Sequence, residues 1–249
     1  MKKSKSILLI ILLIIIIGVG FLLYKNPTSK NTLPANKATE ISIQDKKIID
    51  STKPFVIKIV YPQITGLDDF NQKSKAIVDK EINDFKTNSL ANDEAVKKVD
   101  PTSYAKYPRT YELDITYDKG EVDKNIVSVV FDIYNFEGGA HGASYFVPLN
   151  YNPETKQEIK LTDLFPNDKN YLKTISDYCI KDLTKQITEK MESTEGSWIS
   201  DGASPKAENF QFFLINPSTS SGQATLTFYF PQYQVAPGAA GDFKVTMPR

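Results

Sequence analysis

Alternating hydrophobic and polar residues predict a sheet interrupted by helices in the first half of the chain. Alternation with a period of two predicts strands over residues 55–61, 111–117 and 126–136. The polar residues 118–125 predict a hairpin connection between the last two. Apolar residues at helical spacing over 67–85 follow Asp68 and Asp69, and acidic residues favour the first turn of a helix. This half is therefore predicted to place one helix against a sheet.

The second half repeats this order of elements. Residues 145–151 alternate again, and a helix is predicted over 171–191 with Cys179 on its apolar face. Further strands are predicted over 210–215, 224–230 and 243–247. Because hairpins alternate with single helices and no β–α–β run is evident, we expect an α+β fold: antiparallel sheet hairpins, each packed with a single helix, in two adjoining subdomains.

An apolar run at the N-terminus predicts a membrane anchor. Residues 7–24 are eighteen residues without a charge, and Lys2, Lys3 and Lys5 precede them. A helix of that length spans about 27 Å, close to the thickness of the hydrocarbon core. The alternative is a cleaved signal peptide, but the run is longer than a usual signal core and no small-residue cleavage site follows Gly20. The lysines predict a cytoplasmic N-terminus and an exported remainder.

These features divide the chain into five predicted parts. Residues 1–6 are a cytoplasmic tail, 7–24 a transmembrane signal anchor, and 25–39 a polar, proline-containing linker. Residues 40–139 and 140–249 are the two α+β subdomains behind it. The predicted localisation is the cell membrane, with a single span and an extracytoplasmic C-terminal part.

Charge and cysteine content exclude some classes of function. The chain has 30 basic and 30 acidic residues, and Arg109 and Arg249 are its only arginines. Nucleic-acid binding normally needs a basic face and favours arginine, so we expect no nucleic-acid partner. The one cysteine cannot form an internal disulfide.

The only histidine, His141, lies in the stretch FEGGAHGASYF. We interpret Gly138, Gly139 and Gly142 as a structural turn with positive φ where the chain leaves a strand. A catalytic or metal-binding histidine needs partners, and the chain offers one cysteine and no calcium-loop motif, so we expect no metal and no cofactor. Gly142 and Ser144 begin a nucleophile elbow that Phe146 leaves incomplete, and no other catalytic constellation is evident, so we expect no enzyme.

Aromatic residues near turns favour a binding surface over catalysis. Tyrosines on loops are typical of recognition surfaces, although most of the aromatic residues also suit the core of a sheet. The candidate ligand-binding residues are Glu137, His141 and Tyr145 around the glycine turn, and Tyr233 in a second loop.

Five segments resemble a known family in order and in sequence: IIDSTKPFVIKIVYPQITG, IVSVVFDIYNFEGGAHG, FVPLNYNPETKQEIKLTDLF, NFQFFLI and FYFPQYQVAPGAAGDFKVTMP. The family is the RsiV-like extracytoplasmic pair of domains of unknown function numbered 4163 and 3298. It occurs in a lysozyme-sensing anti-sigma factor and beside the catalytic domain of a peptidoglycan deacetylase. The resemblance covers residues 41–248 and implies a membrane-tethered α+β module that, in the anti-sigma factor, binds lysozyme.

Three functions are open at this point. The first is a binding or sensor module of the envelope whose partner is a peptidoglycan fragment or a wall-cleaving enzyme such as lysozyme. The second is an accessory protein of peptidoglycan deacetylation or hydrolysis. The third is a structural envelope protein whose partner is another membrane protein.

Overall fold

The computed structural model describes residues 41–107, 109–218 and 224–249. Nine strands lie in this part of the chain: β1 (Ile43–Asp50), β2 (Phe55–Ile64), β3 (Tyr111–Val122), β4 (Val127–Phe136), β5 (Ala143–Asn152), β6 (Gln157–Glu158), β7 (Phe213–Asn216), β8 (Thr225–Phe230) and β9 (Phe243–Pro248). The α-helices are α1 (Asp68–Val99), α2 (Pro101–Lys106), α3 (Tyr171–Met191) and α4 (Ile199–Gly202). Short 3₁₀ helices lie at Leu161–Leu164, Ala207–Phe210 and Gly238–Ala240. The predicted α+β class is confirmed.

The first sheet has the order β1-β2-β3-β4-β5-β6 and contains one parallel pair. β2 and β3 run parallel, with Phe55 opposite Tyr111, whereas the other neighbours in this sheet are antiparallel. The expectation of antiparallel hairpins without a β–α–β unit is therefore wrong here. The 32-residue α1 lies between β2 and β3 and returns the chain to the end of the sheet where β2 begins.

α1 covers one face of the first sheet. Its buried residues recur every three or four positions: Phe70, Ser74, Val78, Glu81, Phe85 and Ser89. β2 and β3 separate after Ile59, and α1 side chains bind the backbone of β2 beyond that point. Ser74 donates to the Pro62 carbonyl at 2.8 Å, and the Asn71 amide bonds both the N–H and the carbonyl of Ile64 at 2.8 Å. Side chains of α1 thus satisfy backbone groups of β2 that β3 no longer pairs with.

The second sheet is the antiparallel β7-β8-β9, and α3 covers it. The predicted apolar face of α3 is confirmed, because Ile175, Cys179, Leu183 and Ile187 are fully buried against this sheet. Each sheet thus packs against one long helix, as the sequence pattern indicates.

A buried polar network joins the two sheets. The hydroxyl of Ser128 in β4 donates to the side-chain amide oxygen of Asn150 at 2.5 Å. The same hydroxyl accepts from the backbone N–H of Ile215 at 2.8 Å. The Asn150 amide donates to the Phe213 carbonyl at 3.0 Å. These bonds place β7 against the strands β4 and β5 of the first sheet. β5 pairs with β4 from Asn135 to Val127, so the first sheet continues across the predicted subdomain boundary at 139/140.

The predicted cytoplasmic tail, signal anchor and linker (1–39) lie outside the described residues. Within residues 41–249 that are described, none of the helices combines the length and the apolar character that crossing a membrane requires.

Candidate functional site

The predicted glycine turn connects β4 to β5 and is fixed on the C-terminal half of α1. Gly138 has a φ of 92°, and its carbonyl accepts from the Arg109 guanidinium at 3.1 Å. Asn92 of α1 donates to the Glu137 carbonyl at 3.0 Å. A Cβ on Gly138 would lie 2.8 Å from the Tyr111 ring. This position therefore requires glycine both for its backbone angle and for space.

The other two glycines of the turn behave differently from one another. Gly139 is not among the glycines with positive φ, and a Cβ there would only reach ordinary contact at 3.7 Å. The expectation of positive φ at Gly139 and Gly142 is wrong. Gly142 allows close approach instead, because a Cβ there would lie 2.4 Å from the Tyr134 ring.

Glu137 and Tyr145, two predicted ligand-binding residues, form hydrogen bonds within the protein. The Glu137 carboxylate accepts from Asn135 at 3.2 Å and from Asn88 at 3.4 Å. The Tyr145 hydroxyl donates to the nearly buried Glu81 of α1. Burial, together with this bond, raises the pKa of Tyr145. Both side chains thereby attach the turn and β5 to α1.

His141 lies exposed on the surface of the turn. Its Nδ1 is 2.8 Å from the carbonyl oxygen of Gly142, a bond within the turn itself. No hydrogen bond in the described residues joins it to Ser144 or to a carboxylate, so the arrangement contains no histidine–serine pair.

Tyr233 lies in a different loop, where its backbone is hydrogen-bonded to Trp198 and both aromatic side chains are exposed. The two side chains are 54% and 37% exposed. The indole N–H of Trp198 donates to the Tyr233 carbonyl at 2.8 Å. Tyr233 has a φ of 70°, and a Cβ on Gly238 would lie 2.2 Å from its ring. An aromatic residue in the left-handed region is strained and needs support from its surroundings, and such residues concentrate at functional sites.

We call Trp198 and Tyr233 the aromatic pair. Among the described residues, no hydrogen bond or ring contact links the loop of Tyr233 to the loop of His141. Sequence reasoning missed Trp198, although it is the only tryptophan in the chain and this was an available signal.

A charged cluster lies where the second sheet meets the first. Asp118 of β3 accepts from Lys244 and from Tyr229, both at 2.8 Å. Burial opposes ionisation of Asp118, but these hydrogen bonds outweigh it and lower its pKa. The Lys244 ammonium also lies 4.9 Å from the centre of the Tyr229 ring.

Asp132 of β4 faces the same cluster. The register sets Asp118 opposite Val130 and Asp132 opposite Thr116, so the two aspartates are diagonal neighbours on one face. Burial raises the pKa of Asp132, with smaller contributions from Asp242 and Asp118 against the opposing effect of Lys244. Two carboxyls with opposite pKa shifts are the elements of general acid–base chemistry.

Metal ligands and reactive thiols are not evident in the described part of the chain. Within it, no group of three or more histidine, cysteine, aspartate or glutamate residues is arranged to hold a metal ion. Cys179 is fully buried, and burial raises the pKa of its thiol to about 12. A thiol in that environment is a core residue rather than a nucleophile.

A cleft of about 340 Å³ opens between the first sheet, the segment 158–162 and the chain around residue 210. Leu161, Phe210 and Phe213 form its buried floor. Lys160, Thr162 and Gln211 lie at its exposed rim. Clefts of this size with an apolar floor and a few polar groups are typical of small-molecule sites.

Two protein families match consecutive parts of the chain. Residues 48–144 match the family described as deacetylase PdaC, and residues 162–249 match the protein family of unknown function DUF3298. Residues 48–144 are thus similar to the first family, and residues 162–249 to the second. The DUF3298 part of the resemblance noted in the sequence is confirmed, while the domain numbered 4163 and the link to an anti-sigma factor stay predictions.

Curated proteins and solved structures that are similar to this chain include the following three. The peptidoglycan-N-acetylmuramic acid deacetylase PdaC of Bacillus subtilis is 24% identical over 251 residues, which are 100% of this chain and 50% of that protein. An esterase of Mycobacterium tuberculosis is 26% identical over 142 residues, 56% of this chain and 57% of that protein. The chain thus spans about half the length of the curated relatives that it matches.

The solved structure is a DUF3298 family member from Bacteroides fragilis. It is 19% identical, with a TM-score of 0.52, and the match covers 84% of this chain and 89% of the other. This likeness concerns the fold alone.

The expectation that the chain is not an enzyme is contradicted. Both curated relatives are named as enzymes, one a deacetylase and the other an esterase, and residues 48–144 match a family with a deacetylase name. Composition and motif spacing did not indicate a relation to enzymes, because no catalytic motif is evident in the sequence.

Proposed function

We propose that this chain is a membrane-anchored module of the bacterial envelope whose domain of residues 41–249 faces the wall and binds peptidoglycan during its modification. The observation that carries the proposal is the similarity along the whole chain to a peptidoglycan deacetylase at 24% identity. The apolar run 7–24 behind three lysines supports the anchor and the extracytoplasmic side. The ligands that we propose are glycan fragments of the wall and enzymes that act on it.

The aromatic pair is the binding surface that we propose. Trp198 and Tyr233 present rigid, amphipathic rings, and such residues carry much of the energy at recognition surfaces. The bond from the Trp198 indole N–H to the Tyr233 backbone carbonyl at 2.8 Å orients the indole, and the Tyr233 ring lies against Gly238, so both rings are positioned before a ligand arrives. Pre-organisation of this kind lowers the entropy cost of binding.

Co-sedimentation of the full-length protein with purified peptidoglycan sacculi tests the proposal. We expect saturable binding that Trp198→Ala and Tyr233→Ala each weaken about tenfold, as expected for recognition residues worth about 1.4 kcal/mol. Tyr107→Ala is the matched control, since Tyr107 is 63% exposed and lies in another part of the fold. Absence of binding to sacculi, or equal losses in all three variants, would contradict the proposal.

A second candidate function is hydrolysis of acyl groups in the wall, which the enzyme names of both curated relatives favour. In this candidate, Asp132 acts as general acid or base, because burial raises its pKa above the usual value of an aspartate. Asp118 stays ionised beside it, held by Lys244 and Tyr229. In this candidate, the nucleophile is a water molecule that the two carboxyls activate, so no nucleophilic serine is required.

Release of acetate from wall glycan by the full-length protein tests this second candidate. We expect Asp132→Asn to lower the rate about 100-fold or more, within the range for loss of a general acid–base group. Asp84→Asn is the control, because Asp84 forms a surface ion pair with Lys80 on α1. Unchanged release by the Asp132 variant would exclude this role.

A further inference from the structure

The edge of β7 is blocked by side chains of the first sheet. The backbone N–H of Ile215 donates to the Ser128 hydroxyl at 2.8 Å, and the backbone carbonyl of Phe213 accepts from the Asn150 amide at 3.0 Å. An edge strand whose outer backbone groups stay available can pair with a strand of another chain, and proteins commonly prevent this. At β7, two buried side chains occupy the place of such a strand.

The edges formed by β9 and β6 are blocked in other ways. Two side chains of α3 bind backbone carbonyls of β9: Tyr178 donates to Thr246 at 3.3 Å, and Gln186 donates to Lys244 at 2.9 Å. β6 is only two residues long, and a very short edge strand offers few backbone groups to a partner. Neither edge is therefore suited to pairing with another chain.

β1 forms the other edge of the first sheet, and it lacks these protections. It is eight residues long, Ile43–Asp50, and pairs with β2 along its whole length. Residues 44–47 are exposed, and the apolar Ile49 is 76% exposed. Within the described residues, no side chain binds the backbone of β1 and no strand pairs with its outer side. The outward N–H and C=O groups of alternate residues are therefore available to a further strand.

The sequence of β1 is complementary to itself in one antiparallel register. A twofold axis through Lys46 would set Asp45 of one copy opposite Lys47 of the other, and this pair would occur twice. The same register would set the exposed Ile49 opposite Ile43. Directly opposite residues lie on the same face of a sheet with Cβ atoms about 5 Å apart, so opposite charges and apolar groups at these positions stabilise the pairing.

We propose that β1 is a dimerisation edge, through which two copies of this chain pair antiparallel about Lys46 and join their first sheets into one. Lysine on an edge strand usually discourages pairing, but here Asp45 lies two positions before Lys47 and supplies the opposite charge. The contact of Lys46 with its own copy is the one like-charge pair, against two ion pairs. One strand per partner is a small interface, so the dimer is reversible.

Cysteine cross-linking of the detergent-solubilised full-length protein tests the register. Disulfides form across Cα separations of about 4.4–6.8 Å, which directly opposite residues satisfy. We expect Lys46→Cys to form a covalent dimer under a mild oxidant. An equal mixture of Asp45→Cys and Lys47→Cys should give about fivefold more dimer than either variant alone, because these positions face each other. Lys169→Cys, at an exposed position outside β1, is the control, and the native Cys179 is buried.

Exchange of the two charges tests the complementarity independently. In the Lys46→Cys background, Asp45→Lys and Lys47→Asp should each lower the yield of dimer about fivefold, because like charges then face each other. A mixture of the two variants should restore the yield, since each supplies the charge that the other needs. Lys47→Asp leaves intact the hydrogen bond from Tyr117 to Asp45, so its effect is independent of that bond.

Three results would overturn the inference. The first is the absence of dimer from Lys46→Cys, and the second is equal cross-linking by Lys169→Cys, which would indicate association elsewhere or by chance collision. The third is a loss in the single charge variants that their mixture does not restore, because the ion pairs would then not join the two copies.

Discussion

At the scale of single residues, Gly138 is the position where backbone and space both demand glycine. We expect Gly138→Ala to lower the free energy of unfolding by more than about 1 kcal/mol, because alanine is strained at positive φ. The added Cβ would also lie 2.8 Å from the Tyr111 ring. Denaturant unfolding measures the change.

Gly139→Ala is the matched control for this prediction. Its φ is not positive and its Cβ would meet only a carbonyl at 3.7 Å, so we expect a change within about 0.5 kcal/mol. Equal destabilisation by the two variants would mean that the turn does not have the conformation described.

The reactivity of the Cys179 thiol tests whether the apolar face of α3 is buried. Because burial raises the pKa of its thiol to about 12, we expect no labelling by thiol reagents in the native protein at pH 8 and rapid labelling after unfolding. The same shift predicts that the stabilising contribution of the neutral thiol is present below about pH 8.5, its unfolded pKa. It is lost progressively as the pH rises towards 12. Fast native labelling at pH 8 would contradict this burial.

The candidate residues around the glycine turn illustrate what the sequence can predict at this scale. Glycine spacing predicts a turn after Phe136, where β4 ends, since turn residues act through local backbone geometry. It did not show that Tyr145 bonds Glu81, because that partner lies 64 positions away. Asp118 and Asp132 were missed for the same reason: their relation depends on strand register.

At the scale of elements, Asp93 connects α1 to the next helix, α2, and to the next strand, β3. Its carboxylate accepts from Tyr104 of α2 and from Tyr111 of β3, each at 2.5 Å. These hydrogen bonds lower the pKa of Asp93. The ionised carboxylate thus holds the C-terminal half of α1 in place.

We expect Asp93→Asn to lower the free energy of unfolding at pH 7 by about 1.5–3 kcal/mol, the range for hydrogen bonds to a charged group. A lowered folded-state pKa gives stability that is present above the unfolded value near 4 and is lost as the pH falls through the folded value. The difference between wild type and variant should therefore shrink as the pH falls below about 4. Denaturant unfolding at pH 7 and pH 3 measures it.

Asp79→Asn is the control, since Asp79 forms only an exposed ion pair with Lys75 on the same helix. Its effect should stay within about 0.5 kcal/mol. A pH-independent loss in the Asp93 variant would show that the carboxylate charge is not what matters.

The length of α1 was only partly predicted from the sequence. The apolar spacing predicted the helix to residue 85, whereas α1 continues to Val99. Its last turns carry few apolar residues, so periodicity weakens there, although Ala, Glu and Lys favour helix. The parallel pairing of β2 and β3 depends on that long return and was not predicted.

At the scale of the whole molecule, the network of Ser128 and Asn150 joins the two sheets. Both residues are buried and bonded to each other and to β7. We expect Ser128→Ala and Asn150→Ala to be non-additive, with a coupling energy of about 0.5–3 kcal/mol in a double-mutant cycle. Additive effects would mean that the two residues stabilise their strands independently.

The aromatic pair tests the central claim, that this domain faces and binds the wall. The most direct measurement is photo-cross-linking in intact cells, with a photoreactive amino acid at position 233 of the full-length protein and at position 107 as control. We predict adducts that contain muropeptides, or an enzyme acting on the wall, at position 233 and not at position 107. Adducts only with cytoplasmic proteins, or the same adducts at both positions, would contradict the account.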